Sequence, residues 1–346
     1  MLEIADLFKI IQPWLSHPLV LLTAFVAASF MMIWRLHAIE GKGFEGTVLG
    51  TLIMPYCSGF ANLVFVFVMS RTPGNGRTVI ENCLVNNVTN LTLILGMTAL
   101  FYASSKKPAA TRAAPAKSPS ARTPRKKANT EPDDKRLQRL DLLLTLLAMF
   151  LFTGALWALA GDGTLGFHDG LVLVGLFLFW QLLHVFEVLK NNVRKNQTIH
   201  WSIIFDLLLI GLCAYAIYLS VDYLVQWVTT SKNAYVNLSN LGWLSGVIMV
   251  VPNAFLALYY AHAGRDDIVV SSQVGDGHIC IPMCIGLFAL MQNIDVPGFF
   301  QWGVWIILGA GVLHFLSIAI WGRLPRVVGG LLLFGYGLFL YKGLGN

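Results

Sequence analysis

The chain has 346 residues, 56% of them hydrophobic and only 12% charged, whereas an ordinary soluble domain carries about 25% charged residues. So few charges cannot coat a soluble surface, which excludes a soluble enzyme, a disulfide scaffold and a disordered protein, and a mean hydropathy of +0.66 makes lipid the solvent for most of the chain. The net charge of +6 would suggest nucleic acid in a soluble protein, but most of the excess lies in one loop, so the partners implied are membrane lipid and small ions, with no nucleic acid.

Residues 1–16 are amphipathic and lack the basic start and small-residue cleavage site of a signal peptide, so they read as an interfacial helix. A bilayer-crossing helix needs about 20 mainly apolar residues. Three such segments follow, at 17–36, 46–70 and 79–103. The stretch 104–138, rich in Ala, Pro, Ser and Lys, cannot bury enough surface to order itself and reads as a disordered basic linker. Seven more spans are expected at 139–160, 169–189, 200–226, 238–263, 268–291, 299–321 and 325–342. The organisation is therefore a first half, 1–103, the linker 104–138, and a second portion, 139–346.

Orientation follows from Lys and Arg. The linker and the loops after spans 1, 5, 7 and 9 hold 19 of the 24 basic residues. The positive-inside rule puts both termini outside and the linker in the cytoplasm. The compactness of the chain suggests a bacterial inner membrane.

Spans 2–3 and 7–8 are the helix pairs that carry amides, Gly and Pro deep in apolar sequence. An offset of about 190 residues pairs Ala61-Asn62 with Pro252-Asn253, Gly74 with Gly264, Asn86 with Asp276, Asn90 with Cys280 and Gly96 with Gly286. The first copy, 46–103, starts from the cytoplasm and the second, 238–291, from outside. Inverted repeats with helices broken at matching Gly and Pro positions mark a secondary transporter whose site lies at the midplane. The fold expected is an all-α membrane protein of ten transmembrane helices in two inverted repeats of five.

These residues resemble the cation/calcium exchanger superfamily, which includes the sodium/calcium exchangers. Its repeats read G-T-S-x-P-E on one helix and G-N-x-x-G-S-N-x-x-[ND] on the next. The run Glu81-Asn82-Cys83-Leu84-Val85-Asn86-Asn87-Val88-Thr89-Asn90 is similar to the second half of repeat one. Gly264-Arg265-Asp266-Asp267 and Gly275-Asp276 are similar to the loop and early helix of repeat two. The resemblance implies ten spans with repeats at 2–3 and 7–8, both ends outside, and alternating access by rocking of spans 1 and 6 past the repeats. One departure matters. The family's glutamate after proline is Asn253 in repeat two, and in repeat one it falls on Tyr56 by alignment on Pro55, or on Asn62 or one residue later by alignment on Gly74 and Asn90. The second register keeps both helix pairs equal in length, and under either the glutamate is absent.

Calcium usually takes 6–8 oxygens with carboxylates among them. At an effective dielectric of ~20, a unit charge 4 Å from another is worth roughly 4 kcal/mol. Losing two such partners removes tight divalent binding, while an amide carbonyl still ligates a monovalent cation. One formal charge remains, Asp276, an intramembrane ionisable group and so a functional candidate. Desolvation favours its protonated form, so it could exchange a proton for a cation. The alternative makes it a capping or hydrogen-bonding residue near the mouth of span 8. Asn82, Asn86 and Asn90 share one helical face. The candidate ion-binding residues are Asn62, Asn86, Asn90, Asn253, Asp276 and Cys280, with Ser58, Asn82, Asn87 and His278 secondary. His278 would assist Asp276 or line the path, and Asn82 and Asn87 would contact ligand or join helices. Asp206, His184 and Glu187 read as anchors at the inner interface.

The chain lacks a GxxxxGK[ST] loop and any convergent catalytic set, so neither ATP hydrolysis nor an enzyme is expected, and no organic cofactor is implied. The function expected is a secondary antiporter moving Na+ or K+ against H+ or another cation. The alternatives are low-affinity Ca2+ exchange and a transport-dead pseudo-exchanger acting as a sensor or scaffold.

Overall fold

The computed structural model describes residues 17–40, 59–102, 131–193, 203–233, 235–262 and 264–344. The expected interfacial helix, the start of span 2 with Ser58, and most of the linker lie outside the described residues. Within them stand ten helices, one for each expected span: α1 (Pro18–Glu40), α2 (Phe60–Ser70), α3 (Gly76–Val88, continuing through Thr89–Ile94 and Leu95–Tyr102), α4 (Glu131–Leu159) and α5 (Phe167–Val193), then α6 (Ile203–Thr230), α7 (Leu241–His262), α8 (Asp266–His278, continuing through Ile279–Ile285 and Gly286–Met291), α9 (Phe300–Trp321) and α10 (Arg326–Leu344). Eight of these are long and apolar enough to cross a bilayer. The protein is an integral membrane protein.

Burial separates the helices into an inner and an outer set. The apolar windows of α3 and α8 are each 78% buried, against 28% for α6 and 33% for α1, α4 and α5. The outer helices turn large apolar side chains outward, among them Phe186, Leu208 and Phe334. Such exposure is costly in water and ordinary in lipid, where the driving force between helices is packing.

The packing follows a pseudo-two-fold pattern. Helix α3 packs on α7, α9 and α10, and α8 packs on α2, α4 and α5, while α1 packs along α6. Each partner in the second list stands five spans from its counterpart in the first. Five is odd, so the second set of five threads the membrane in the opposite sense to the first. Two close crossings obey the same symmetry. A Cβ on Gly96 would lie 3.0 Å from the Gly329 carbonyl, and one on Gly170 would lie 2.7 Å from the Gly286 carbonyl. Both crossings exist because glycine lets the backbones approach.

The turns confirm the 190-residue offset. Gly74 and Gly264 join α2 to α3 and α7 to α8, and both adopt left-handed φ, +88° and +72°. A β-carbon is disfavoured there. Segments Gly76–Val88 and Asp266–His278 are 13 residues each, and each runs into a π-helical stretch, Thr89–Ile94 and Ile279–Ile285.

Three features depart from expectation. The break expected in α7 is absent, since the helix runs through Pro252 from Leu241 to His262. The irregularity lies in α3 and α8 instead. In α8, Pro282 removes one N–H and its ring crowds the carbonyl four residues back. In α3, the Thr89 and Thr92 hydroxyls bond the Val85 and Val88 carbonyls, competing with the regular ladder. Second, helix α4 starts at Glu131, inside the segment expected to be disordered to 138. The sequence Glu131-Pro132-Asp133-Asp134 puts proline and acidic residues in a first turn, where proline's fixed φ fits and negative charge suits the helix dipole. Third, a short antiparallel pair, β1 (Thr164–Leu165) with β2 (Ile294–Asp295), ties the α4–α5 loop to the α8–α9 loop.

Candidate ion site

The site is built where α3 and α8 face each other. Asn86 and Asn90 are one turn apart on α3, and Asn90 stands in the π-helical stretch, which widens the turn and re-aims its side chain. Asp276 lies three residues before the π-helical stretch of α8, and Cys280 lies within it. Asn62 reaches in from α2. All five are 0% exposed.

Their polar atoms form one chain of hydrogen bonds. Asn86 Nδ2 donates to Asn62 Oδ1 at 3.4 Å. Asn90 Nδ2 donates to Asn86 Oδ1 at 3.0 Å and to Asp276 Oδ2 at 2.8 Å. The Cys280 thiol points at Asn86 Oδ1 from 3.7 Å. Amides of repeat one and the carboxylate and thiol of repeat two thus belong to one network, with the bond to Asp276 at the short distance typical of charge-assisted pairs. Asp276 is not a capping residue at a helix mouth: it sits eleventh in the 13-residue α-helical part of α8 and is wholly enclosed.

Around this network several buried polar atoms have no hydrogen-bond partner among the described residues. They are Asn62 Nδ2, Asn82 Oδ1, Asn87 Oδ1, Asn90 Oδ1, Asn253 Nδ2 and Gln273 Oε1. Each such atom costs roughly 1–3 kcal/mol if left dry. Two of them, Asn62 Nδ2 and Asn90 Oδ1, belong to side chains of the network itself, which suits it to a polar occupant. Four of the six are oxygens, as cation ligation requires.

The other two buried carboxylates near helix ends carry cationic partners. Glu81 bonds Arg77 at 2.8 Å, and Asp206 lies 3.5 Å from Arg35 across the α1–α6 interface. Asp206 is thus enclosed and salt-bridged. Among the described residues no group of three His, Cys, Asp or Glu side chains converges as a metal site would need. The network holds one formal negative charge.

The remaining candidates are placed apart. Asn82 donates to Ser245 Oγ at 2.9 Å and to Met249 Sδ at 3.5 Å, both on α7. Asn87 donates to the Cys83 carbonyl one turn back at 2.7 Å, and its oxygen occupies the space a Cβ on Gly277 would need. Asn253 is buried on α7, where its backbone carbonyl accepts from Gln273 at 3.3 Å. Its amide nitrogen is not bonded to the network. His278 bonds the Thr145 carbonyl of α4 at 3.0 Å and packs edge-on against Phe152 and Trp180, so it braces α8 on the outer helices. His184 likewise packs on Trp180.

Sequence reading missed Gln273. It stands three residues before Asp276, as Cys83 stands three before Asn86, so the repeat offset could have found it. It also missed His314 of α9, which bonds the Leu91 carbonyl at 2.8 Å inside the π-helical stretch of α3. A π turn leaves a carbonyl without its usual helical donor, and the imidazole supplies one.

The family model described as "sodium/calcium exchanger protein" matches residues 18–186. The first half of the chain is thus similar to the sodium/calcium exchanger family. Solved structures of the sodium-calcium exchanger NCX_Mj have the same fold. The form soaked with 100 mM Na+ and 10 mM Sr2+ superimposes with a TM-score of 0.61 at 16% identity, covering 92% of this chain and 95% of that one. The form soaked with neither Na+ nor Ca2+ gives 0.59 at 15% identity over 94% and 96%. No curated protein sequence matched the chain. The chain has the paired helices and the buried network, and the carboxylate of that network stands on α8.

Proposed function

We propose that the chain is a secondary active cation antiporter that alternates access to the α3–α8 network and carries a monovalent cation, Na+ or K+, and/or H+, without tight Ca2+ binding. The observation that carries this reading is Asp276 of repeat two, wholly buried and joined to the amides of repeat one through Asn90. A single carboxylate among neutral oxygens balances one positive charge. It lacks the second carboxylate that a dehydrated divalent ion normally needs. Protonation of Asp276 neutralises the site as well as a monovalent ion does, so one group serves both cargo and counter-cargo. Asn62, Asn86, Asn90 and Cys280 supply the remaining ligands in this reading, with Asn253 opposite. Ser58, Asn82, Asn87 and His278 act around them, His278 by position. Transport of this kind uses the ion gradient and no organic cofactor.

The basic loops support an orientation with both termini outside and the basic linker in the cytoplasm, in a plasma membrane such as the bacterial inner membrane. The test is flux in proteoliposomes loaded with Na+, K+ or Ca2+, with and without a pH gradient. Na+ or K+ flux that drives H+ the other way and vanishes in Asp276→Asn supports the reading. Ca2+ uptake that survives Asp276→Asn supports low-affinity calcium exchange through amides. Folded protein that moves none of the three ions supports a pseudo-exchanger acting as a sensor or scaffold.

A further inference from the structure

Three cysteines occupy the same interface as the network. Cys83 on α3 and Cys280 and Cys284 on α8 are each 0% exposed and carry free thiols. Cys83 is three residues from Asn86, hence on the same helical face, and Cys280 contacts Asn86 Oδ1 at 3.7 Å. The part of α3 that carries Cys83 packs against the π-helical stretch of α8 that carries Cys280 and Cys284. The cluster thus spans the two repeats, two thiols from one and one from the other, one turn from Asp276. The fourth free thiol among the described residues, Cys213, lies away from it on α6.

Geometry limits which thiols can join. Cys280 and Cys284 are four residues apart on one helix, where Cβ atoms stand about 5–6 Å apart. A disulfide needs about 3.5–4.5 Å. Residues facing each other across two packed helices have no such fixed spacing. Of the two cross-repeat pairs, the one to Cys280 is favoured because Cys280 already contacts the turn of α3 that carries Asn86.

We propose that Cys83 and Cys280 form a redox modification site, an oxidisable thiol pair that closes as a disulfide between the repeats and shuts the ion site. The site rests on the transport reading in one respect: oxidant reaches the thiols through the open, hydrated state. Hydrogen peroxide, neutral and small, is the oxidant class. One thiol attacks a peroxide oxygen, the O–O bond breaks, and a sulfenic acid and one water result. The second thiol then attacks the sulfenic sulfur, the S–O bond breaks, and the disulfide and a second water form. Two thiol hydrogens and two electrons pass to the peroxide, and the pair is restored by a dithiol reductant. The disulfide takes the Cys280 sulfur from Asn86 and ties α3 to α8 beside the carboxylate.

The experiment treats the full chain in proteoliposomes with hydrogen peroxide, then maps peptides without reduction and measures flux. The expected result is a Cys83–Cys280 linked peptide, a fall in flux of at least tenfold, and recovery with dithiothreitol. Cys83→Ser should form no link and keep its flux in peroxide, while Cys213→Ser and Cys284→Ser should remain sensitive. Elution as a single species in detergent checks that each variant is folded, and the wild-type comparison with and without reductant needs no variant. No Cys83–Cys280 peptide, or a link to Cys284 in its place, overturns the proposal, as does a link that leaves flux unchanged. A link that forms in protein moving no ion before oxidation contradicts the transport reading and leaves the modification site standing.

Discussion

Helices α3 and α8 share one anatomy and differ in chemistry. Each follows a left-handed glycine, runs 13 residues as an α-helix, enters a π-helical stretch and meets a glycine crossing on an outer helix. Yet α3 offers Cys83, Asn86 and Asn90 where α8 offers Gln273, Asp276 and Cys280. Backbone geometry is set by glycine, proline and threonine at matching positions. The charge on the site is set by two side chains related by the pseudo-two-fold, one amide and one carboxylate. The shared backbone sets where these side chains stand, and the residues that differ set their chemistry.

That contrast can be broken on purpose. Asn86→Asp places a second carboxylate beside the first, since both positions bond the same Asn90 nitrogen. At an effective dielectric of ~20 an added charge about 4 Å away is worth roughly 4 kcal/mol. Calcium affinity measured by calorimetry should then rise by about two to three orders of magnitude, and the variant should melt lower without Ca2+. Asn90→Leu removes the bridge to Asp276. A hydrogen bond to a charged group is worth about 1.5–3 kcal/mol, so the apparent Km for the transported cation should rise roughly 10- to 100-fold.

Two further substitutions sharpen the difference between the core and its surroundings. Gly170→Val forces a side chain against the Gly286 backbone of α8. Overpacking costs typically about 1–3 kcal/mol, so the melting temperature in detergent should fall while Km barely moves. The smallest effect is expected at Arg71, in the α2–α3 turn. It bonds Asp222 at 3.0 Å and the Tyr218 hydroxyl, both on α6, and stacks on Phe67. The bond to Tyr218 raises the pKa of the guanidinium further, so it stays charged throughout the usable pH range. Half-exposed ion pairs contribute at most about 1 kcal/mol. Arg71→Ala should change the flux rate less than severalfold and leave Km unaltered.

The ten spans were legible because lipid demands apolar length and nothing else in the chain supplies it. The repeat offset was legible from Gly74 and Gly264, whose left-handed turns tolerate little else. The meeting of Asn86, Asn90, Asp276 and Cys280 followed from that offset. Other features depend on tertiary contact and leave no local mark. Asn253 matches Asn62 in sequence, yet only Asn62 bonds the network. His278 is two residues from Asp276, which on a helix turns it toward the outer face and the Thr145 carbonyl. The partner of Asp206 was hidden because Arg35, 171 positions away, is invisible to a local reading. The π-helical stretches were hidden because one is caused by Pro282 and the other by threonine hydroxyls, two different sequences with one geometric result.

The central claim is that a single carboxylate, held between inverted halves, carries the cation. The double variant Asn86→Asp with Asp276→Asn moves that charge across the pseudo-two-fold and leaves the total unchanged. Monovalent cation flux should be lost in Asp276→Asn alone and return to within about an order of magnitude of wild type in the double variant, a gap of roughly 1.4 kcal/mol. A folded double variant as inactive as the single one, or a single variant that still transports, would contradict it.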